Sequence, residues 1–71
     1  MAENIKPAHS IIRRKAVEAR TGLSRSTIYQ RVKDGTFPAP ISLGAKAVGW
    51  LLYEIEDWIA ERVRRSRGST Q

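Results

Sequence analysis

Cysteine is absent from this 71-residue chain, and histidine occurs once, at His9. No disulfide, thiolate metal site or cysteine nucleophile can therefore be built. A lone histidine close to Pro7, with no ligand partner nearby, reads as a solvated residue rather than a base or a metal ligand. No apolar run approaches the ~20 residues needed to span a bilayer, and no secretory signal pattern opens the chain. The expected location is the cytoplasm, with no membrane partner. A glycine-rich phosphate loop and a spaced set of metal ligands are also missing. The clustered carboxylates Glu54, Glu56, Asp57 and Glu61 fall on one helical segment with no histidine or cysteine beside them, the pattern of a solvated helix face. These absences predict that the protein is not an enzyme and takes neither cofactor nor metal.

What is present is one small domain and a concentrated charge. A chain of this size buries only about 60% of its unfolded surface, so its core is thin. The formal net charge is +6. Residues 11–35 carry seven basic side chains against two acidic ones, whereas residues 54–71 balance four acids with four arginines. Positive charge gathered on one motif marks a surface for a polyanion, where a scattered excess would mark only a solvated face.

That segment has the grammar of two helices joined by a tight turn. A short helix is expected from Arg14 to Thr21, with Ala16 and Val17 inward, and Ile11 and Ile12 lead into it as apolar anchors. Gly22 breaks the chain, Ser24 supplies an N-cap hydroxyl, and Gly35 stops a second helix of about Arg25 to Asp34 in the left-handed conformation. Within it Ile28 and Val32 form a narrow apolar stripe, and the other positions are polar or basic.

Beyond Gly35 the two prolines of Phe37-Pro38-Ala39-Pro40 impose extended backbone, and Phe37 is placed to plug the core. Ile41-Ser42-Leu43 and Val48-Gly49-Trp50 read as two short strands around a Gly44–Ala47 loop. A lone hairpin is marginal in water, so Leu43, Val48 and Trp50 are expected to lean on the helices. A last helix of about Glu54 to Arg65 carries Ile55, Trp58, Ile59 and Val63 on one stripe. Its acids lie early and its arginines late, as the helix dipole favours. The expected division is a flexible arm at residues 1–10, a winged helix-turn-helix at 11–65 and a disordered tail at 66–71. The fold class is mainly α with a small β-hairpin.

The second helix is of a kind that enters the major groove of B-DNA, where outward side chains meet base edges. On a helical wheel Ser26, Gln30 and Lys33 lie opposite the core. Gln30 can pair bidentately with adenine and Arg25 with guanine. Ser24, Ser26 and Thr27, at a helix N-terminus that favours anions, suit phosphates. Tyr29 reads equally as a DNA contact and as packing against the wing. Lys46 at the hairpin tip, and Arg13, Arg14 and Lys15 at the start of the first helix, are further backbone contacts. Those early cations oppose their helix's dipole, a cost that a phosphate would relieve.

Val17-Glu18-Ala19-Arg20-Thr21-Gly22-Leu23-Ser24-Arg25-Ser26-Thr27-Ile28-Tyr29 resembles the AlpA family of phage-type transcriptional regulators. Asp34-Gly35-Thr36-Phe37-Pro38, then Leu43-Gly44, Ala47-Val48-Gly49-Trp50, Glu54 and Trp58 continue the pattern in order over about residues 11–63. The resemblance implies a winged helix-turn-helix related to the MerR and excisionase groups, with Ser24–Lys33 as the DNA-reading helix and Gly44–Ala47 as the wing. It implies control of integrase or excision functions in a prophage or integrated element. The chain departs from the pattern before its last helix, where Leu52 and Tyr53 replace a polar residue and a serine cap worth about 1 kcal/mol. These two residues are read either as a partner surface or as extra core. Expected partners are double-stranded DNA, further copies of the chain on that DNA, and a recombinase. Two other readings stand beside the sequence-specific regulator: an excisionase-like architectural factor that bends attachment-site DNA, and a small protein-interaction adaptor that binds no DNA.

Overall fold

The computed structural model describes residues 10–68. Their order is β1 (Ile11–Ile12), α1 (Arg14–Thr21), α2 (Arg25–Asp34), β2 (Ile41–Ser42), β3 (Val48–Leu51) and α3 (Leu52–Gly68). Both expected helices of the basic segment form with the expected bounds. Gly22 and Gly35 end them at φ values of 76° and 80°, a region that costs a residue with a Cβ dearly. Of the expected 1–10 arm, and of His9, only Ser10 lies among the described residues, and it is held: its carbonyl accepts the Leu52 N–H at 2.7 Å.

The sheet is larger than the expected hairpin. It runs β1-β3-β2, antiparallel throughout, with Ile11 opposite Leu51, Ile12 opposite Trp50 and Ile41 opposite Gly49. Ile11 and Ile12 are therefore a third strand, too short to show any alternation in sequence. β3 is thus central, paired on both edges, which a lone two-stranded hairpin lacks. Gly49 makes the close pairing possible. A Cβ there would stand 2.5 Å from Ile11 Cγ2 and 3.1 Å from both the Ile12 carbonyl oxygen and Leu43 Cδ1.

Val17, Ile28, Phe37, Trp50 and Ile55 form the buried core, one residue each from α1, α2, β3 and α3 and one from the loop after α2. Trp50 is fully buried and donates its indole N–H to the Pro38 carbonyl at 2.8 Å. Phe37 is the expected plug, meeting the Trp58 ring edge-on at 4.9 Å, while the Trp58 N–H is held by the Thr36 carbonyl. Half-buried Ile12, Leu23, Val32, Val48, Trp58 and Ile59 pack around this centre.

Several inward assignments are corrected. Ala16 faces solvent, because Val17 alone of that helix reaches the centre. Leu43 is 41% exposed: it lies past the end of β2, where its N–H closes the loop on the Ala47 carbonyl. Val63 is 42% exposed because α3 outruns the body, every residue from Arg62 to Gly68 being exposed. The helix is longer at both ends than the expected Glu54–Arg65. It starts at Leu52 without a serine cap because the Ser10 carbonyl takes the first N–H. It continues through residues 66–68, which were expected as tail, past a turn braced by Glu61 with Arg64 and Arg65 at i+3 and i+4. Those two arginines, Arg64 first by hydrogen bonding, hold the Glu61 carboxyl below the usual carboxylate range.

The close approach at Gly49 yields a direct test. Gly49→Ala must push β1 away from β3, and overpacking of this kind costs about 1–3 kcal/mol. Urea unfolding should show a lower midpoint with an unchanged slope; an unchanged midpoint would mean that the contact is not tight.

Candidate nucleic-acid interface

The site begins with a cap. Ser24 sits in extended conformation before α2, its Oγ accepts the Thr27 N–H at 3.2 Å, and its hydroxyl donates to Thr27 Oγ1 at 3.0 Å. Two of the expected anion ligands are thus also the parts that shape the helix start. In any α-helix the first N–H groups lack an intrahelical acceptor. With no acidic residue in the first turn of α2, that end presents an uncompensated positive dipole pole.

Arg14, Lys15, Ser24 and Arg25, with the Arg14-paired Glu18, line one shallow concavity where α1 meets the turn and the start of α2. Gly22 and Leu23 form part of its wall. Lys15 and Arg25 are exposed and carry no ion pair among the described residues. Arg14 is already paired with Glu18 one turn along α1, which answers the dipole conflict from within the chain. Ser26, Gln30 and Lys33 share the outer face of α2 at i, i+4 and i+7, all exposed. Gln30 donates from Nε2 to Asp34 Oδ1 at 3.2 Å, leaving Oε1 and one amide hydrogen available, the pair of groups an adenine edge requires. Lys46 stands exposed on the hairpin loop, apart from these two groups.

Tyr29 takes up the packing that the sequence left open and keeps part of its surface exposed. Its ring lies 6.2 Å from that of Trp50, tilted at 57°, and it remains 38% exposed. It joins the outer face of α2 to the sheet.

Three basic residues of the same segment are used elsewhere. Arg13 donates from Nε to the Val48 carbonyl at 3.0 Å, tying the start of α1 to the wing strand. Arg20 bridges to Glu56 of α3 at 2.7 Å. Arg31 is half-buried toward the loop after α2, its Nε buried with no acceptor among the described residues. The sequence carries no sign of the Arg13 link, because its acceptor is a backbone atom 35 residues away. Among the described residues no group of three or more histidine, aspartate or glutamate side chains could hold a metal ion, and no helix is long and apolar enough to cross a membrane.

The sequence that builds this turn, capped helix and wing is similar to that of known proteins. The model of the family described as "Prophage CP4-57 regulatory protein (AlpA)" matches residues 10–63. An uncharacterized protein, ORF88, of Enterobacteria phage P4 is 52% identical over 48 residues, which cover 66% of this chain and 54% of that protein. The chain thus spans about half the length of that relative. The DNA-binding transcriptional activator AlpA of Escherichia coli (strain K12) is 39% identical over 67 residues, covering 86% of this chain and 96% of the relative. The family match spans well over half of the chain and the second relative almost end to end: this protein belongs to the AlpA family of prophage regulatory proteins.

Proposed function

We propose that this protein is a sequence-specific regulator of transcription that reads double-stranded DNA with α2. Its targets are the integrase or excision genes of a prophage or integrated element. One observation carries the reading. Six cations of residues 11–53 have no internal carboxylate partner among the described residues. Arg13 is held by the Val48 carbonyl and Arg31 is half-buried. The other four (Lys15, Arg25, Lys33 and Lys46) are exposed, on α1, α2 or the wing, whereas the acids of that region are spent on Arg14 and Gln30. The DNA-binding activity named for the Escherichia coli relative supports the same reading.

An α-helix is about 10–12 Å across with its side chains and so fits the major groove, which is about 12 Å wide. In this arrangement the concavity at Lys15 and Ser24 receives a backbone phosphate beside the helix start, and Ser26 and Thr27 flank it. Gln30 and Arg25 reach base edges, Gln30 pre-oriented by Asp34. Lys33 and Lys46 hold the backbone on either side. Arg14 joins them only by sharing itself between Glu18 and a phosphate.

Binding to random-sequence duplexes, followed by selection of the preferred site, separates these roles. About five phosphate contacts give a slope near −4.5 for log K against log salt. Lys15→Ala should weaken all duplexes alike and flatten that slope by about one. Gln30→Ala should leave the slope unchanged and cost about 1–3 kcal/mol of discrimination at one base pair. A flat salt dependence, or identical behaviour of the two variants, would contradict the assignment.

A further inference from the structure

The charges of α3 are arranged differently from those of the proposed DNA face, and they point to a second copy of the chain. Glu54, Asp57, Trp58, Glu61, Arg62 and Arg65 of α3 line one groove of about 820 Å³, with Arg31, Phe37 and Pro38 among the residues that complete it. Glu54 and Asp57 make no ion pair among the described residues. Arg62 has no carboxylate partner and sits over the Trp58 ring at 5.0 Å, and Arg65 shares Glu61 with Arg64. The groove side of α3 therefore begins with two unneutralised acids and ends with two incompletely neutralised bases.

The order of these six residues is the same read from either end: steps of three, one, three, one and three. We propose that two copies associate through this side of α3, antiparallel about a two-fold axis between Ile59 and Ala60. Each Glu54 then faces Arg65 of the second copy, each Asp57 faces Arg62, and each Trp58 faces Glu61. A two-fold interface requires a surface complementary to itself, residue i meeting j while j meets i, and this charge order satisfies it. A parallel pairing sets acid against acid and base against base. The basic half is accessible for the purpose, since α3 is exposed from Arg62 onward. Duplex DNA is the wrong occupant, because its phosphates would meet Glu54 and Asp57. About three helical turns a side fall well short of a standard interface of ~1,600 Å², so the pair is weak and sensitive to salt. The inference stands apart from the DNA reading and is tested without DNA.

Sedimentation equilibrium of the full chain, up to about 1 mM protein in about 50 mM salt, tests it. A reversible dimer is expected, its dissociation constant rising at least about tenfold in 0.5 M salt as the charges are screened. Glu54→Arg with Asp57→Arg, and separately Arg62→Glu with Arg65→Glu, should each be monomeric. Mixed one to one they should pair, because every charge then faces its opposite, two contacts as in the wild type and two with the signs reversed, and that recovery also shows both to be folded. Should either double variant fail to fold, as circular dichroism would reveal, the single changes Asp57→Arg and Arg62→Glu replace them. A wild-type chain monomeric at 1 mM, a dimer indifferent to both reversals, or failure of the folded variants to pair on mixing would overturn the proposal.

Discussion

Burial of Trp50 at the centre of β3 is the constraint on which the rest of this small molecule depends. Its strand pairs with β1 on one edge and β2 on the other. Its indole N–H fixes the loop at Pro38, and its ring lies against Tyr29 of α2. A single side chain thus joins the sheet, the proline segment and the outer helix of the helix-turn-helix. With five buried hydrophobic residues in the core among the described residues, the loss of any one exposes a large part of it. The wing and α2 keep a fixed relation because both contact this ring, and Gly49 beside it admits the strand that completes the sheet.

Electrostatics divide the surface. On the side of α1, α2 and the wing, internal partners claim Arg13, Arg14 and Arg20, Arg31 is half-buried, and Lys15, Arg25, Lys33 and Lys46 are exposed. On α3 the acids come first and the bases last, so the helix is nearly neutral yet strongly polar along its length. The first arrangement suits a uniformly negative partner such as a nucleic acid, the second a partner with the same alternation reversed. The Arg20–Glu56 ion pair crosses between the two regions. At about half exposure for each partner, it contributes little to stability.

Local chemistry was readable in the sequence where a side chain acts within its own turn. Ser24 as cap, Gly22 and Gly35 as stops, Pro38 and Pro40 as a break, and Ile28 as core follow from spacing and backbone preference alone, and the structure places each where those rules put it. What the sequence hid is non-local. β1 has two residues and no alternation, so only its partner strand defines it. Leu52 needs no serine cap because the Ser10 carbonyl, far away in sequence, meets its N–H. Ala16 and Val63 sit at plausible apolar positions, yet the core is too small to reach them. In the candidate site, residue types predicted the outer face of α2 and the cations around the turn. Spacing could not reveal that Arg14 and Gln30 already hold acidic partners, or that Tyr29 leans on Trp50.

The central claim is that the exposed face of α2, the turn before it and the wing tip form one DNA-reading surface distinct from α3. Titrating the isotopically labelled protein with a bound duplex and following its backbone amide resonances tests this most directly. The largest changes should fall at Lys15, Arg25, Ser26, Gln30, Lys33 and Lys46, while Glu54, Asp57 and the rest of the α3 groove stay nearly still. Changes centred on the α3 groove, with α2 unmoved, would contradict the account.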